Sequence, residues 1–320
     1  MLNDAEISFV TLGGGVSSDI FLITDGTTKL IVKQALEKLK VKDDWYADTT
    51  RNRTEQTFLQ YVKSFMPDSV PQMVYADKEH NFFAMEYLGN EFSNWKQNLL
   101  EGIFDKQITR KAAYCLAQLH MHALQDPKAA DFFPDHKHFV SLRIEPYLIT
   151  TSTRHPLLRS FFLNEATRLE NRKITLIQGD FSPKNMMVSK DRLVLLDHEV
   201  ACIGDPAFDV AFLLTHLLLK KLHHYKNLQT LPDLVPVFWE HYHTESDPEM
   251  LEISEPDTGR LLLLLLLARV DGKSPVEYLD EKQKTFIRTF VSDNIHTGKI
   301  TLNSINHTWN EEIQKGFSQN

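Results

Sequence analysis

The stretch LIQGDFSPKNMMVSKDRLVLLDHEVACIGD, from Leu176 to Asp205, sets polar clusters around a strand-like run, LVLLD, and three of its residues could do chemistry: Asp180, Asn185 and Asp197. Asp180 follows TLIQG, a short strand end, where a carboxylate can orient an attacking hydroxyl and accept its proton. Asn185 offers an amide oxygen to a hard cation. Asp197 closes the run LVLLD, and a carboxylate at the end of a buried strand can hold Mg²⁺ against nucleotide phosphates. Each residue alone also fits a cap or a turn. Together, D-x4-N-x11-D places one base and two metal ligands on a compact hairpin.

Two features nearer the N-terminus bear on the same chemistry. LGGGVSSD joins two strand-like runs. There Gly13, Gly14 and Gly15 expose backbone N–H groups, and Ser17 and Ser18 add donors. The segment reads as a flap over phosphates or as a flexible hairpin turn. It has neither the GK[ST] of a Walker loop nor a dinucleotide fingerprint. Lys33 ends the apolar run KLIVK, and Glu55 follows 22 residues later on an expected helix. A strand lysine held by a helix glutamate can position the α- and β-phosphates of a nucleotide. Spacing alone favours the plainer reading, two exposed side chains paired with solvent.

The elements that must position these residues fall into two groups. ISFVTL, DIFLITD and TKLIVKQ read as strands, and residues 45–65 as a helix carrying Glu55, Phe58, Leu59 and Val62 at helical spacing. VPQMVYADKEHNFFAMEYL reads as two more strands around the polar turn DKEH. The result is an antiparallel sheet of about five strands with one helix. GNEFSNW breaks this pattern, and the chain becomes helical. ITRKAAYCLAQLHMHAL carries an apolar stripe of Ala112, Leu116, Leu119 and Ala123. A long polar-aromatic connection is expected over 126–156, then helices over 157–169, 209–222, 236–243, 259–270 and 281–293. A polar tail after Ile313 is expected to fray. Residues 1–88 form a nucleotide-binding lobe and 89–320 a catalytic, acceptor-binding lobe, with the ligand site in the cleft between them.

Composition narrows the partners. The 320 residues are 42% hydrophobic and 24% charged, ordinary for a soluble globular protein, and can bury a large core. The formal charge of -8 weighs against a nucleic-acid partner. Cys115 and Cys202 lack metal-ligand spacing, and a chain of this size needs no disulfide framework. A reducing, cytoplasmic setting follows, and the N-terminus lacks the pattern of a signal peptide. The run LLLLLLLA, residues 261–268, is too short to cross a bilayer and reads as a helix buried on most sides.

With these residues in place, the chain resembles the aminoglycoside phosphotransferase-type small-molecule kinases. This group shares the protein-kinase-like fold and includes choline, methylthioribose, fructosamine and homoserine kinases. The likeness runs from LGGGVSSDIFLI to ARVDGKSPVEYL and is most specific in QGDFSPKNMMV and LVLLDHEVACIGDPAFDVAFLL. It implies an α+β, bilobal protein-kinase-like fold with a small antiparallel-sheet N-lobe and a larger, mainly helical C-lobe. It also implies transfer of the ATP γ-phosphoryl group to a hydroxyl of a small molecule. Asp180 then resembles the catalytic-loop aspartate, Asn185 and Asp197 the magnesium ligands, and Lys33 with Glu55 the phosphate lysine and its partner. AMEYL resembles the hinge, whose backbone at Glu86, Tyr87 and Leu88 would bind adenine. Asp209 resembles the structural aspartate that braces the loop.

This chain departs from that pattern in several places. Gln178 stands where histidine is usual, and His198 where tryptophan or phenylalanine is usual. His198 is expected to pack or hydrogen-bond rather than bind metal, and Glu199 to approach a second metal or its water. Ser182 replaces the protein-kinase lysine, and Lys184 would face solvent or reach the phosphates. The acceptor, a hydroxyl-bearing small molecule, would enter the helical lobe, with neither nucleic acid nor membrane as a partner. Arg143 or Arg269 would suit a carboxylate or phosphate on it, acidic residues an amine, and Tyr147, Trp239 and Tyr242 a choline-type cage. A nucleotide-binding scaffold without catalysis, or a protein kinase, are the alternatives.

Overall fold

The computed structural model describes residues 7–13, 17–40, 45–77, 79–297 and 300–317. Runs rich in β-branched and aromatic residues form β1 (Ser8–Leu12), β2 (Ser18–Thr24), β3 (Lys29–Ala35), β4 (Met73–Asp77) and β5 (Phe82–Glu86). They make one antiparallel sheet in the order β1-β2-β3-β5-β4. Gly26, at φ +90°, turns β2 into β3, while Asp25 Oδ1 accepts from the backbone N–H of Thr27 and Thr28. In β3, Ile31, Lys33 and Ala35 alternate onto the buried face, so the lysine points inward.

Helix α1 (Arg51–Lys63) starts six residues later than its pattern suggests. The Leu39 N–H donates to Trp45 O and the Ala47 N–H to Glu37 O, which holds the chain before the helix in extended contact. Asp48 Oδ1 then accepts from the Thr50 N–H and turns the chain into the helix. The buried face of α1 carries Phe58, Leu59, Val62 and Glu55.

Beyond β6 (Ser93–Asn94), helix α2 (Trp95–Leu100) is capped by Asn94, and α3 (Lys106–Gln125) by Asp105, whose Oδ1 accepts from the Gln107 N–H at 2.6 Å. The stripe Ala112, Leu116, Leu119 and Ala123 is buried as expected. The connection over 126–156 is helical for much of its length, contrary to the sequence reading. Short helices lead into Val140–Ile149, a stretch of π-helix that continues into Thr150–Arg154. Pro146 sits inside it and cannot supply the N–H that this helix type would aim at Ser141 O, five residues back. Arg143 Nη1 donates to the next carbonyl, Leu142 O, at 2.6 Å. Pattern reading misses this helix because its proline and its buried arginine both argue against one.

Four short strands then carry the central polar residues. β7 (Thr175–Ile177) pairs with β10 (Cys202–Gly204), and β8 (Met186–Val188) pairs with β9 (Leu193–Leu195) and β6. The Leu196 N–H donates to Asn185 O at 2.8 Å and closes the mouth of the β8–β9 hairpin.

The remaining helices are Arg159–Asn171, Ala207–His223, Leu234–Glu245, Pro248–Asp271, Glu281–Asn294 and Leu302–Phe317. Helix Pro248–Asp271 starts eleven residues before the expected start at Gly259 because Asp247 caps it, accepting from the N–H groups of Glu249 and Met250. Residues 261–268 are buried on all sides, as their composition required. Among the described residues no helix is long and apolar enough to cross a membrane. The expected fraying tail is helical up to Phe317. Leu302, Ile305, Trp309 and Ile313 recur at helical spacing and are buried, and the Phe317 ring lies 4.6 Å from that of Tyr225.

Trp309 tests whether this last helix is part of the core. Its ring is fully buried against Phe286 and Phe290, yet among the described residues Nε1 has no hydrogen-bond partner. Trp309→Ala should cost about 3–5 kcal/mol in urea unfolding, and Trp309→Phe a fraction of that. A cost below about 1 kcal/mol for the alanine variant would show that the helix is not integral to the core.

Candidate active site

The two solvated side chains that spacing alone favours are instead a buried ion cluster. Lys33 Nζ lies 2.9 and 2.7 Å from the two Glu55 carboxylate oxygens and 2.5 Å from Asp197 Oδ1. Three elements distant in sequence (β3, α1 and the end of the β8–β9 hairpin) therefore meet at one ammonium. Burial pushes the lysine down, but Asp197 and Glu55 outweigh it and hold its proton firmly. Burial likewise opposes the Asp197 carboxylate, and the charges of Lys33 and Lys184 override it, so Asp197 stays ionised. Burial pushes Glu55 up.

The loop carrying Asp180 is held from both sides. Asp209, fully buried at the start of helix Ala207–His223, accepts from the N–H of Gln178 at 2.7 Å and of Gly179 at 2.8 Å. This is the bracing role the resemblance implied. Gly179 has φ +74°, and a Cβ there would meet Val200 Cγ2 at 2.8 Å, so the turn admits glycine alone. Gln178 ties three segments together. Its Oε1 accepts from the Asp180 N–H at 2.7 Å, and its Nε2 donates to Leu196 O and Asp197 O at 3.2 and 2.9 Å. Asp197 itself sits at φ +61°, a left-handed conformation that costs a non-glycine residue energy and needs such support.

His198 fills the space behind this network. Its ring stacks on Phe58 with centroids 4.0 Å apart, and it is fully buried. Gln178 Nε2 faces Nδ1 at 3.4 Å, which makes Nδ1 the acceptor and leaves Nε2–H to donate to Leu195 O at 3.1 Å. Burial, with the Lys33 charge nearby, pushes this histidine down to about 3. It is a neutral packing group, in line with the sequence reading.

Asp180 Oδ2 accepts from Asn185 Nδ2 at 2.7 Å, and Arg143 Nη2 lies 2.8 Å from the same oxygen. Arg143 Nε also donates to Gly179 O at 2.8 Å. Sequence reading placed Arg143 among acceptor groups and missed this contact. No motif links position 143 to the loop, since the π-helix that brings them together was itself unread. Burial raises Asp180, and Arg143 and Lys184 oppose that rise. Asn185 uses its amide nitrogen on Asp180 O and Oδ2, so its amide oxygen is not the atom that makes this contact.

The other expected residues divide. Gly13 belongs to the described chain with open space around its Cα, while Gly14 and Gly15 lie outside the described residues. Ser17 and Ser18 are buried rather than displayed on a flap. Ser17 O accepts from Arg51 Nη2, and Ser18 opens β2 with its hydroxyl unpartnered among the described residues. Glu86 ends β5, and Tyr87 and Leu88 carry the chain toward the second lobe. The Glu86 N–H donates to Gln72 O and is already in use. Glu199, expected near a metal, is paired with the buried Arg51 at 2.9 Å. Tyr242 is buried against His120, with its hydroxyl 2.8 Å from Nδ1, and Tyr147 lies under Arg269, so they do not form a cage.

A family profile described as the phosphotransferase enzyme family matches residues 8–222, two thirds of the chain. Methylthioribose kinase from Geobacillus kaustophilus is 25% identical over 242 residues, covering 66% of this chain and 60% of that protein. Methylthioribose kinase 1 from Oryza sativa is 21% identical over 238 residues, covering 65% and 55%. This chain thus spans about three fifths of the length of these relatives. Choline kinase LicA from Streptococcus pneumoniae superposes with a TM-score of 0.50 at 14% identity, covering 98% of this chain and 95% of that one. An ethanolamine kinase from Plasmodium vivax gives 0.52 at 12%, covering 98% and 84%. These likenesses show the fold: bilobal, α+β and protein-kinase-like, as expected.

His198 gives the site a pH signature. Its folded-state value lies below the unfolded one, near 6.5. As pH falls below 6.5, only the unfolded chain gains that proton, so stability falls through the window down to about 3. Between pH 6.5 and 5 the loss from this group is about 2 kcal/mol. His198→Phe keeps a ring against Phe58 and should flatten the pH slope of urea stability by that amount. An unchanged slope would place the proton elsewhere.

Proposed function

This chain belongs to the phosphotransferase enzyme family, and we propose that within it the protein transfers the γ-phosphoryl group of ATP to a hydroxyl of a small molecule. The observation that carries this reading is the meeting of Lys33, Glu55 and Asp197 beside a loop that aims Asp180 and Asn185 together. Lys33 is fixed as a cation by two carboxylates and is suited to the phosphates of a bound nucleotide. The acceptor oxygen attacks the γ-phosphorus, the bond to the ADP oxygen breaks, and the acceptor proton passes to Asp180. The products are ADP and a phosphomonoester. Arg143 fixes the Asp180 carboxylate in place and opposes the rise that burial imposes on it.

The donor set suits magnesium. Asn185 has an amide oxygen and Asp197 a second carboxylate oxygen to give, both hard ligands, with phosphate and water completing the shell. Among the described residues no group of three or more histidine, cysteine or acidic side chains could hold a metal by itself. Bound there, magnesium would offset the charge on the transferring phosphoryl group. Adenine would lie against the segment Glu86, Tyr87 and Leu88. Neither nucleic acid nor membrane enters this scheme.

Asp180→Asn should lower acceptor-dependent ADP release by about 10²–10⁴-fold while sparing nucleotide binding. Near-normal turnover would sink the assignment. Asp197→Asn should weaken nucleotide binding with magnesium present and change it little without magnesium, read by calorimetry. Nucleotide binding with no ADP release across a panel of alcohols, amino alcohols and sugars would favour the scaffold reading.

A further inference from the structure

Among the described residues, other buried cations are paired. Lys33 has two carboxylates, Arg51 has Glu199, Arg143 has Asp180 and Lys221 has Asp233, and the half-buried Arg168 has Glu165 and Asp205. One group breaks that rule. Lys220, on helix Ala207–His223, is buried to 1% exposure and lies over the Tyr278 ring, 5.3 Å from its centroid. Among the described residues it has no carboxylate and no hydrogen-bond acceptor. Also among the described residues, the Tyr278 hydroxyl beside it is buried without a partner, and His216, one helical turn earlier and buried against Phe212, has no side-chain hydrogen bond. Arg269 donates to the Tyr147 hydroxyl at 3.1 Å, to Ser274 Oγ at 3.0 Å and to Ser274 O, with its Nε buried and unused and no carboxylate in contact among the described residues.

Ring contacts link these groups: His216 meets Phe212, Phe212 meets Tyr147, and Tyr147 lies under Arg269. Tyr147, under Arg269, is one turn from Arg143, which holds Asp180. Helix α2, carrying Lys96, packs against both helix Ala207–His223 and the segment Pro183–Asn185, which carries the exposed Lys184. The charges repel one another. Burial, then Lys96 and Arg269, hold Lys220 well below the usual lysine range. Burial opposes charge on Lys96 as well; Glu277 works against that, and Lys184 and Arg269 add to it. A buried cationic group such as Lys220, with no carboxylate of its own, is costly to a fold, and is understandable where a ligand supplies the counter-charge.

We propose that the acceptor is an anion, a hydroxyl compound whose carboxylate or phosphate is received by Lys220, Arg269 and His216, with Lys96 and Lys184 flanking the approach to Asp180. This rests on the phosphotransfer reading above and names its substrate class. An oxyanion satisfies the unused Arg269 N–H and the Lys220 ammonium together, which a neutral or amine-bearing acceptor cannot do.

Two matched series test it by calorimetry on the full chain: glycerol, glycerate, glycerol 3-phosphate and 3-aminopropane-1,2-diol; and glucose, gluconate, glucose 6-phosphate and glucosamine. An anionic member should bind at least tenfold more tightly than its neutral and amine counterparts, and the carboxylate and phosphate arms identify which oxyanion is preferred. Lys220→Met, which substitutes an apolar chain of similar length, and Arg269→Gln should each weaken that binding about tenfold or more and leave ATP affinity unchanged. Neutral or amine members binding as well, no compound binding, or both variants binding like the parent overturns the proposal. Anion binding without ADP release from any acceptor would overturn the phosphotransfer reading and leave the anion site standing. ADP release with neutral or amine acceptors alone would do the reverse.

Discussion

An ammonium group taken out of water between two carboxylates sets the terms for this structure. Lys33 can sit there only if β3 points it inward, α1 brings Glu55 up to it and the β8–β9 hairpin delivers Asp197 from the other lobe. Losing either carboxylate would leave a buried charge short of its partner, a penalty of several kcal/mol. The relation between the lobes is thus written into one ion cluster. Arg51 repeats the arrangement nearby, binding Glu199 with one nitrogen and the carbonyls of Ser17, Leu36, Ala47 and Asp48 with the others.

Around that cluster the backbone is held in conformations it would not choose. Asp197 is left-handed, Gly179 is left-handed, and the carbonyls of Leu196 and Asp197 need donors. One amide side chain, Gln178, answers most of this. A histidine in its place would have to serve the same directions with two ring nitrogens. Here the imidazole stands at position 198 instead, stacked on Phe58 and accepting from the glutamine.

The strands, the stripe on α3, the buried leucine run and the polar triad were legible in the sequence because each is a local pattern. Period and composition report burial, and D-x4-N-x11-D is short enough to be one structural unit. What stayed hidden depends on contacts between distant segments. By spacing alone Glu55 and Lys33 looked solvated, because nothing local announces that Asp197, 164 residues from Lys33, joins the same ammonium. Ser17 and Ser18 looked available because their burial comes from packing at the start of β2. Helix Val140–Ile149 was invisible because Pro146 is a helix breaker and Arg143, buried within it, is an unusual core residue. The final helix was passed over because its four buried positions are spread through a polar segment.

Arg143 ties that helix to the polar loop. One guanidinium holds Leu142 O and Gly179 O and pairs with the Asp180 carboxylate. The helix one turn further on presents Tyr147 to Arg269. Helix, arginine and Asp180 carboxylate are therefore one connected unit. On the proposed function, the acceptor meets one end of that unit and the proton-accepting oxygen stands at the other, so a compound that seats badly against Tyr147 would disturb the base as well as its own contacts. Discrimination between acceptors would then appear in how fast a bound molecule reacts and much less in how tightly it is held.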